Sequence, residues 1–398
     1  MKISKSTIKK LSTVALGLVI SGQVNAQQYI IKYKTGATAS MAGFASAAGA
    51  KGNKGQAFSE LGAATILRNA LVQEAKHVPE FNFSVADLTL EQISELNNSG
   101  AVEYIEVDTK RYLYAESVPY GITMVQAPLL SDAYTSNTKV CIIDTGYNYG
   151  HPDLPSSGVS GYAFSGHGSW STDGNGHGTH VAGTIAAIGR NNIGVVGVNP
   201  SAKLGLHIVK IFNDSGNWTT ASNLVTAIQS CKNAGAKVVN MSLGGSSSNA
   251  TEQTALANFY SGGMLLVAAA GNAGNSSFSY PASYSSVVSV AAVDSSRNRA
   301  SYSQYNSQVE ISAPGSSVYS TYKNNSYATL SGTSMATPHV AGVAALVWSY
   351  YPSCTPARIR TALNATAQDR GTTGRDIYYG FGIVRAQNAL SYLQTNGC

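Results

Sequence analysis

Charged side chains are scarce in this sequence, and long apolar runs and cysteines are few. Asp, Glu, Lys and Arg make up 12% of the 398 residues, about half of the roughly 25% usual in soluble domains. Together with 40 glycines, this composition predicts a surface of neutral polar side chains rather than ion pairs. Because 43% of the residues are apolar, the chain can bury a core, and the composition excludes a disordered protein.

Basic surface patches are also lacking. The formal net charge of +6 is spread along the chain. No stretch combines clustered Lys and Arg with interleaved aromatic residues, which is the pattern of a nucleic-acid-binding surface. We therefore expect no nucleic-acid partner.

One apolar run, Leu11 to Ile20, lies close to the N-terminus and follows four lysines within residues 1–10. Small residues follow at Val24 and Ala26. This order is typical of a secretory signal peptide, so we predict a signal over residues 1–26, cleavage after Ala26 and secretion. The alternative is a membrane anchor. A spanning helix needs about 20 apolar residues, so we expect no membrane association after signal removal.

The four cysteines, an even number in an exported chain, favour disulfides. Cys354 and Cys398 bracket the C-terminal segment and are the favoured pair. Cys141 on an apolar strand and Cys231 on a helix either pair or remain buried thiols. Their spacing is not that of a zinc site.

The chain after the signal predicts a small α+β unit. Residues 29–33, 81–85 and 102–107 alternate in polarity as strands do. Residues 58–76 and 88–97 have helical patterns. The order resembles a βαβ-βαβ arrangement of the ferredoxin-like kind.

A different pattern begins near Ala127, where short apolar runs alternate with helical segments. The runs cover residues 140–143, 238–241, 264–268 and 287–291. Strands that are apolar on both faces predict an α/β fold, a parallel sheet flanked by helices on both faces. Functional groups in such sheets gather at the carboxyl ends of strands. Asp144 directly follows one run, and Asn272 follows another.

Two polar motifs suggest an acid–base pair. Residues 140–146 read VCIIDTG, and residues 175–184 read NGHGTHVAGT. A rigid carboxylate at Asp144 can orient the imidazole of His177 through Nδ1–H. The glycines flanking His177 are expected to leave space for a substrate. Taken alone, an Asp in the position of Asp144 is more often a helix cap or turn residue.

Metal binding is the alternative for His177 and His180. These residues are spaced i, i+3, whereas the zinc-protease helix motif has i, i+4 and an intervening Glu. We therefore expect His180 to be a packed core histidine.

A third motif, residues 330–342, reads LSGTSMATPHVAG and opens an apolar helix that runs to Trp348. Ser334 lies at a Gly-containing turn, and Pro338 is tolerated only near a helix start. A serine here is an N-cap in the simplest interpretation. The functional interpretation places its Oγ on His177 and its N–H towards a developing oxyanion. His339 is expected to be structural.

In the chain order Asp, His, Ser, these motifs together resemble the subtilisin family of serine proteases. The resemblance extends from residues 117–121 (SVPYG) to residues 379–382 (YGFG). It implies a subtilisin-like fold in which Ser334 attacks the peptide carbonyl, His177 is the general base and Asp144 orients it. Residues 269–272 (AAGN) resemble the oxyanion segment, which assigns Asn272 as a donor.

The resemblance also implies how substrates and the precursor are handled. Within residues 239–245 (VNMSLGG), it assigns Ser242, Leu243 and Gly244 to binding of protein or peptide substrates. Residues 27–114 resemble the family's inhibitory and folding-assisting propeptide, and residues 115–398 its peptidase domain. The alignment places self-cleavage after Tyr114. A merely structural N-terminal domain is the alternative.

Calcium is the cofactor that the resemblance implies, with no organic cofactor. It assigns as ligands Asp153, Asn192, Glu116 and the carbonyls of Ile188, Ile193 and Val195, all oxygen donors of the kind that Ca²⁺ prefers. However, the loop at residues 188–193 is one residue longer than the common form. Asn191 could therefore replace Asn192, and an ordinary turn is the alternative to a metal site.

Pocket residues favour a broad-specificity endopeptidase. Ala273 follows Asn272, and the aligned pocket wall has Ser279 rather than a carboxylate, so we expect preference for large apolar or aromatic residues. The expected state is a monomer. The alternatives are a processing protease with one partner, an inactive binding protein, which requires a damaged triad, and an esterase, whose Gly-x-Ser-x-Gly elbow is absent.

Overall fold

A computed structural model describes residues 27–41, 58–109, 116–217 and 219–398. The predicted signal peptide and the predicted cleavage site after Tyr114 lie outside the described residues. The chain divides into two compact units, Met1–Tyr112 and Leu113–Cys398. Among the described residues, no helix is both long and apolar enough to cross a membrane.

The first unit is an antiparallel sheet with helices. Its elements, in chain order, are β1 (Gln27–Tyr33), α1 (Ala37–Met41), α2 (Glu60–Asn69), β2 (Lys76–Val78), β3 (Phe83–Leu88), α3 (Leu90–Asn98) and β4 (Val102–Val107). The strand order β2-β3-β1-β4 is the ferredoxin-like order that the βαβ-βαβ pattern predicts.

Local signals fix the helices of this unit. Thr89 and Gln92 form a capping box, in which each side chain accepts the other residue's backbone N–H at the start of α3. The predicted helix over residues 58–76 is wrong in length, because α2 ends at Asn69. Leu71 has a positive φ of 59°, which turns the chain and lets Lys76–Val78 pair with β3 instead.

The second unit contains the parallel sheet. Its strands are β5 (Lys139–Asp144), β6 (Val159–Ala163), β7 (Gly205–Lys210), β8 (Val238–Met241), β9 (Leu265–Ala269), β10 (Val287–Val293) and β11 (Ile311–Pro314), with a separate hairpin of β12 (Val318–Tyr322) and β13 (Ser326–Leu330). The order β11-β10-β9-β8-β5-β7-β6 places β5 near the middle, and every pairing is parallel.

Helices cover both faces of this sheet, as predicted. They are α4 (Tyr120–Met124), α5 (His177–Ala186), α6 (Ala221–Asn233), α7 (Ala250–Ser261), α8 (Thr333–Tyr350), α9 (Pro356–Ala365) and α10 (Ala386–Asn396). Successive residues of β5 alternate between two cores. Ile142 packs in the cluster of α5 and α8, whereas Cys141 and Ile143 pack in the cluster of α6 and α7. This alternation explains why the strands are apolar throughout.

Two disulfides join elements of the second unit. The predicted Cys354–Cys398 bridge is confirmed. The sequence left open whether the other two cysteines pair or remain thiols. They pair, because Cys141 in β5 is bonded to Cys231 in α6. This bond joins the central strand to a covering helix within a buried apolar cluster.

Candidate active site

Asp144 is the last residue of β5, at the carboxyl end of the parallel sheet. Its side chain is only 2% exposed. Oδ1 accepts the backbone N–H of Thr145 at 2.7 Å and lies 2.7 Å from His177 Nδ1. A carboxylate held in this way orients the imidazole and favours its protonated form.

His177 is the first residue of α5. The positions before and after it need glycine, because a side chain at either one would clash with neighbouring atoms. Gly176 has φ 99°, and a Cβ there would lie 2.5 Å from the Tyr322 ring. A Cβ at Gly178 would lie 2.3 Å from the carbonyl oxygen of Gly146. The expectation that these glycines leave space for substrate is therefore corrected, since they allow close approach of the protein's own atoms.

The environment of His177 shifts its proton affinity. Burial lowers the pKa of the imidazole, but the charge and hydrogen bond of Asp144 outweigh burial, and the net pKa is raised above 6.5. The imidazole side chain remains 29% exposed, so a substrate can reach it. The group is therefore a suitable general base above its pKa.

Ser334 is the second residue of α8, and the proline four positions later changes its surroundings. Pro338 has no N–H, so the carbonyl of Ser334 lacks its helical donor. The Ser242 hydroxyl donates to this carbonyl at 2.8 Å instead. Asn240 Nδ2 donates to the same Ser242 oxygen at 3.0 Å. The end of β8 thereby fixes the first turn of α8.

The Ser334 hydroxyl does not lie where the sequence interpretation placed it. Its Oγ donates to the Ser242 carbonyl at 3.1 Å. Within the described part of the chain, no hydrogen bond joins it to His177. The hydroxyl can rotate about its Cα–Cβ bond, and such contacts are commonly loose before substrate binds. The structure brings Asp144 and His177 into contact and leaves Ser334 turned towards β8.

Asn272 lies beyond the end of β9, and its side-chain orientation is determined by Thr333. Asn272 Oδ1 accepts the backbone N–H of Thr333 at 2.8 Å and its hydroxyl at 2.9 Å. Because Thr333 donates both hydrogen bonds, the accepting atom is the amide oxygen. Nδ2, beside Gly332, has no hydrogen-bond acceptor among the described residues. Sequence reasoning missed Thr333, although it stands next to Ser334 in the motif.

The other motif histidines are structural, as expected. His180 is fully buried, and its Nε2 lies 3.0 Å from the carbonyl oxygen of Val318 and 3.1 Å from that of Ala328. His339 is fully buried and bonds through Nδ1 to the carbonyl of Met335. Burial lowers the pKa of both imidazoles to about 4. Within the described residues, no cluster of three metal-ligating side chains occurs.

Comparisons with known proteins identify the family of this chain. Residues 135–382 match the family model described as the subtilase family. Subtilisin DY of Bacillus licheniformis is 45% identical over 281 residues, which cover 69% of this chain and 99% of that protein. An alkaline protease of Shouchella clausii is 44% identical over 80% of this chain and 81% of its own length.

A solved structure supports the same relationship. The psychrophilic subtilisin-like protease Apa1 of Pseudoalteromonas sp. AS-11 superposes with a TM-score of 0.67 at 36% identity. The match covers 71% of this chain and 99% of that one. The chain belongs to the subtilase family. It is a serine endopeptidase of the subtilisin type with a subtilisin-like α/β fold.

A cavity of about 580 Å³ lies beside Ser334 in this subtilase. Leu243, Gly244 and Ser279 lie in its lining, on two neighbouring segments, and no described lining residue is charged. Paired backbone hydrogen bonds between Gly245 and Tyr280, both 2.8 Å, hold the two segments together. Ser242, the third predicted substrate-binding residue, is buried and anchors Ser334 rather than lining this cavity.

The predicted calcium ligands surround Asp153, which is fully buried. The backbone N–H of Val195 donates to Asp153 Oδ2 at 2.8 Å, and that of Ile188 donates to the Asp153 carbonyl at 3.0 Å. Burial raises the pKa of Asp153 to about 6, to which the charge of Glu116 contributes. Glu116 in turn accepts the backbone N–H of Arg190.

The assignment of Asn192 to this cluster is corrected. Asn191 Nδ2 donates to Asp153 Oδ1 at 2.6 Å, and Asn191 Oδ1 accepts the N–H of Ile193. Asn192 is exposed and has a positive φ of 61°. Asn191 therefore takes the inward place in this loop.

We expect Asp144→Asn to change the pH dependence of this subtilase. Since the carboxylate raises the pKa of His177, the acid limb of kcat/KM lies above pH 6.5 in the parent and moves to lower pH in the variant. The loss of charge and tautomer control should also reduce kcat by up to about 10⁴-fold. A pH profile of peptide hydrolysis measures both, and an unmoved limb would contradict the assignment.

We expect Asn272→Ala to lower kcat by about 10²–10³-fold with KM little changed, the size known for loss of one oxyanion-hole donor in a subtilisin. The reason is that the amide N–H binds the oxygen only after it becomes charged. Steady-state kinetics on a peptide anilide measure the split between kcat and KM. Asn258→Ala, which changes an exposed asparagine of α7, is the matched control and should keep the parent values.

Proposed function

We propose that this subtilase is a secreted endopeptidase that cleaves proteins through Asp144, His177 and Ser334. The observation that carries the proposal is the 2.7 Å contact between His177 Nδ1 and the buried carboxylate of Asp144. It leaves the exposed side of the imidazole, with Nε2, available to a nucleophile. The four cysteines, all in disulfides, support an oxidising compartment outside the cytosol.

The proposed reaction begins when the Ser334 hydroxyl rotates from the Ser242 carbonyl towards His177. Oγ forms a bond to the substrate's carbonyl carbon, and its proton passes to Nε2 of His177. The imidazolium is stabilised by Asp144. The carbonyl oxygen, now negative, accepts hydrogen bonds from Asn272 Nδ2 and the Ser334 N–H. His177 then returns its proton to the leaving amine, and water hydrolyses the acyl-enzyme by the reverse sequence.

Maturation by self-cleavage is part of the proposal. The ferredoxin-like unit ends near the predicted cleavage site after Tyr114, because the chain divides between Tyr112 and Leu113. A separately folded unit that is joined by one peptide segment is suited to removal. We propose that residues 27–114 assist folding, inhibit the enzyme and are then removed by its own active site.

Mass spectrometry of the secreted protein tests the reaction and maturation together. The parent should lose residues 1–114 and react with a fluorophosphonate, whereas Ser334→Ala should retain residues 27–114 and remain unlabelled. Ser331→Ala, which alters an exposed hydroxyl three residues earlier, is the control and should behave as the parent. Full labelling of Ser334→Ala would overturn the proposal.

Specificity for large apolar or aromatic residues is supported by the uncharged cavity. Ser279 is 7% exposed, so a carboxylate placed there would be poorly solvated and would favour a cationic partner. The parent should cleave a peptide library after large apolar residues, and Ser279→Asp should shift cleavage towards Lys and Arg. Ser246→Asp, at the exposed rim of the same cavity, should shift it less. Parent cleavage after basic residues would contradict this prediction.

A structural calcium ion is proposed at Asp153. This carboxylate is fully buried and forms no ion pair with any residue that the structure describes. A second carboxylate, Glu116, is close enough to raise its pKa. The two carboxylates supply the anionic oxygens that a hard cation prefers, with carbonyls of Ile188, Ile193 and Val195 as further donors. The side-chain oxygen of Asn191, which accepts the N–H of Ile193 here, would have to turn towards the ion to join them. The ion would tie Glu116 to the loop at residues 188–195.

We expect chelation of calcium to lower the melting temperature of the Ser334→Ala protein, which cannot digest itself. Calcium at a concentration of about 100 times its Kd adds about 2.7 kcal/mol to the free energy of unfolding. The effect should diminish below about pH 6, where Asp153 becomes protonated. Asp153→Asn should remove the response to chelator, whereas Asp294→Asn, in a surface turn, should keep it. A metal-free protein with unchanged melting would contradict the site.

A further inference from the structure

The residues that follow Asp144 and His177 are bonded to each other. Thr145 Oγ1 accepts the backbone N–H of Gly178 at 2.9 Å. The same hydroxyl donates to Asp173 Oδ1 at 2.9 Å. One buried side chain therefore joins the turn after β5 to the first turn of α5, immediately beside the Asp144–His177 contact.

Asp173 is the centre of this junction. Its side chain is buried, with the residue 6% exposed, and its two oxygens accept four hydrogen bonds. Oδ1 accepts the Thr145 hydroxyl and the N–H of Gly176 at 2.8 Å. Oδ2 accepts the N–H of Thr179 at 2.8 Å and its hydroxyl at 2.6 Å. Three of these donors belong to Gly176 and Thr179, on either side of His177 in the sequence. The fourth belongs to Thr145, the residue after Asp144.

These contacts exceed what a helix cap requires. A capping aspartate accepts N–H groups of its own helix. Here Gly176, the N-cap residue of α5, has no side chain, and Asp173 replaces it while also holding a residue of the neighbouring strand end. A displacement of Asp173 would therefore move both partners of the Asp144–His177 hydrogen bond, in which a shift of about 1 Å can cost 10²-fold in rate.

The charge of Asp173 also acts on His177. All four donors to Asp173 are uncharged, and among the described residues it forms no ion pair. Burial lowers the pKa of His177, whereas Asp144 and, more weakly, Asp173 raise it. The other ionisable groups nearby are His180 on the same helix, Lys210 at the end of β7, Tyr322, whose ring packs against Gly176, and Lys323, which donates to the carbonyl of Gly174. The Lys210 ammonium binds the carbonyls of Thr145 and Thr172 and is paired with Asp214.

We propose that Asp173 is a positioning residue that holds the turn after Asp144 against the start of α5 and so keeps the carboxylate and imidazole in hydrogen-bonding register. The proposal rests on the proposed triad. It assigns to Asp173 both a geometric and an electrostatic effect on His177, without contact with substrate.

Asp173→Asn tests both effects because it keeps the side-chain shape and removes the charge. We expect kcat to fall by up to about 10²-fold with KM nearly unchanged. The acid limb of the kcat/KM profile should also move to lower pH, since one of the charges that favour the imidazolium is removed. A purely structural role would not move this limb. Asp132→Asn is the matched control, because Asp132 also accepts a backbone N–H, from Ser201, but lies away from the site.

Thr145→Val separates geometry from charge. It removes the hydroxyl that bridges Asp173 and Gly178 and leaves every charge in place. We expect a lower kcat and an acid limb that moves less than in Asp173→Asn, because both carboxylate charges remain. This variant also decides the question if Asp173→Asn does not fold, because a parent-like kcat for Thr145→Val would overturn the positioning role.

The outcomes separate this inference from the proposed triad. Parent-like kcat and pH profile in Asp173→Asn, together with an inactive Ser334→Ala, would overturn the role of Asp173 and leave the triad intact. An active Ser334→Ala enzyme would overturn the triad itself. The expected pattern is a reduced kcat for both Asp173→Asn and Thr145→Val and a larger shift of the acid limb for Asp173→Asn than for Thr145→Val.

Discussion

The hydrogen bond between Asp144 Oδ1 and His177 Nδ1, 2.7 Å long, requires that the end of a buried strand lie beside the start of a helix. Removing a carboxylate from water is costly unless it is hydrogen-bonded. Asp144 compensates part of that cost with the N–H of Thr145 and part with the imidazole. The strand that delivers it is hydrogen-bonded on both sides, to β7 and β8, and has little freedom to move.

The parallel sheet explains why distant segments meet. The chain enters every strand at one edge and leaves at the other, so the ends of β5, β8 and β9 lie together. These ends carry Asp144, Ser242 and, a few residues later, Asn272. Helix α8 runs buried across the same sheet, and its first turn brings Ser334 to that edge. Fold and site therefore depend on the same apolar strands.

Much of the parallel sheet could be predicted from the sequence, because a strand that is buried on both faces is a continuous apolar run. The strand at residues 238–241 has the predicted bounds. Between side chains far apart in sequence, contacts that a motif implies, such as Asp144–His177, could be predicted, whereas contacts outside the motifs could not. The Ser242–Ser334 bond arises because Pro338 removes a helical donor, and Asn191 rather than Asn192 bonds to Asp153 because Asn192 points outwards at a positive φ. The Asp173–Thr145 junction is likewise visible only once β5 and α5 are packed.

The central claim is that the hydroxyl of Ser334 and the imidazole of His177 act as one unit. A double-mutant cycle tests it most directly: kcat on one chromogenic peptide for the parent, Ser334→Ala, His177→Ala and the double variant, each confirmed to be folded by circular dichroism. Groups that act together give non-additive losses. The account predicts that the double variant is no slower than either single variant. Losses that multiply would contradict it.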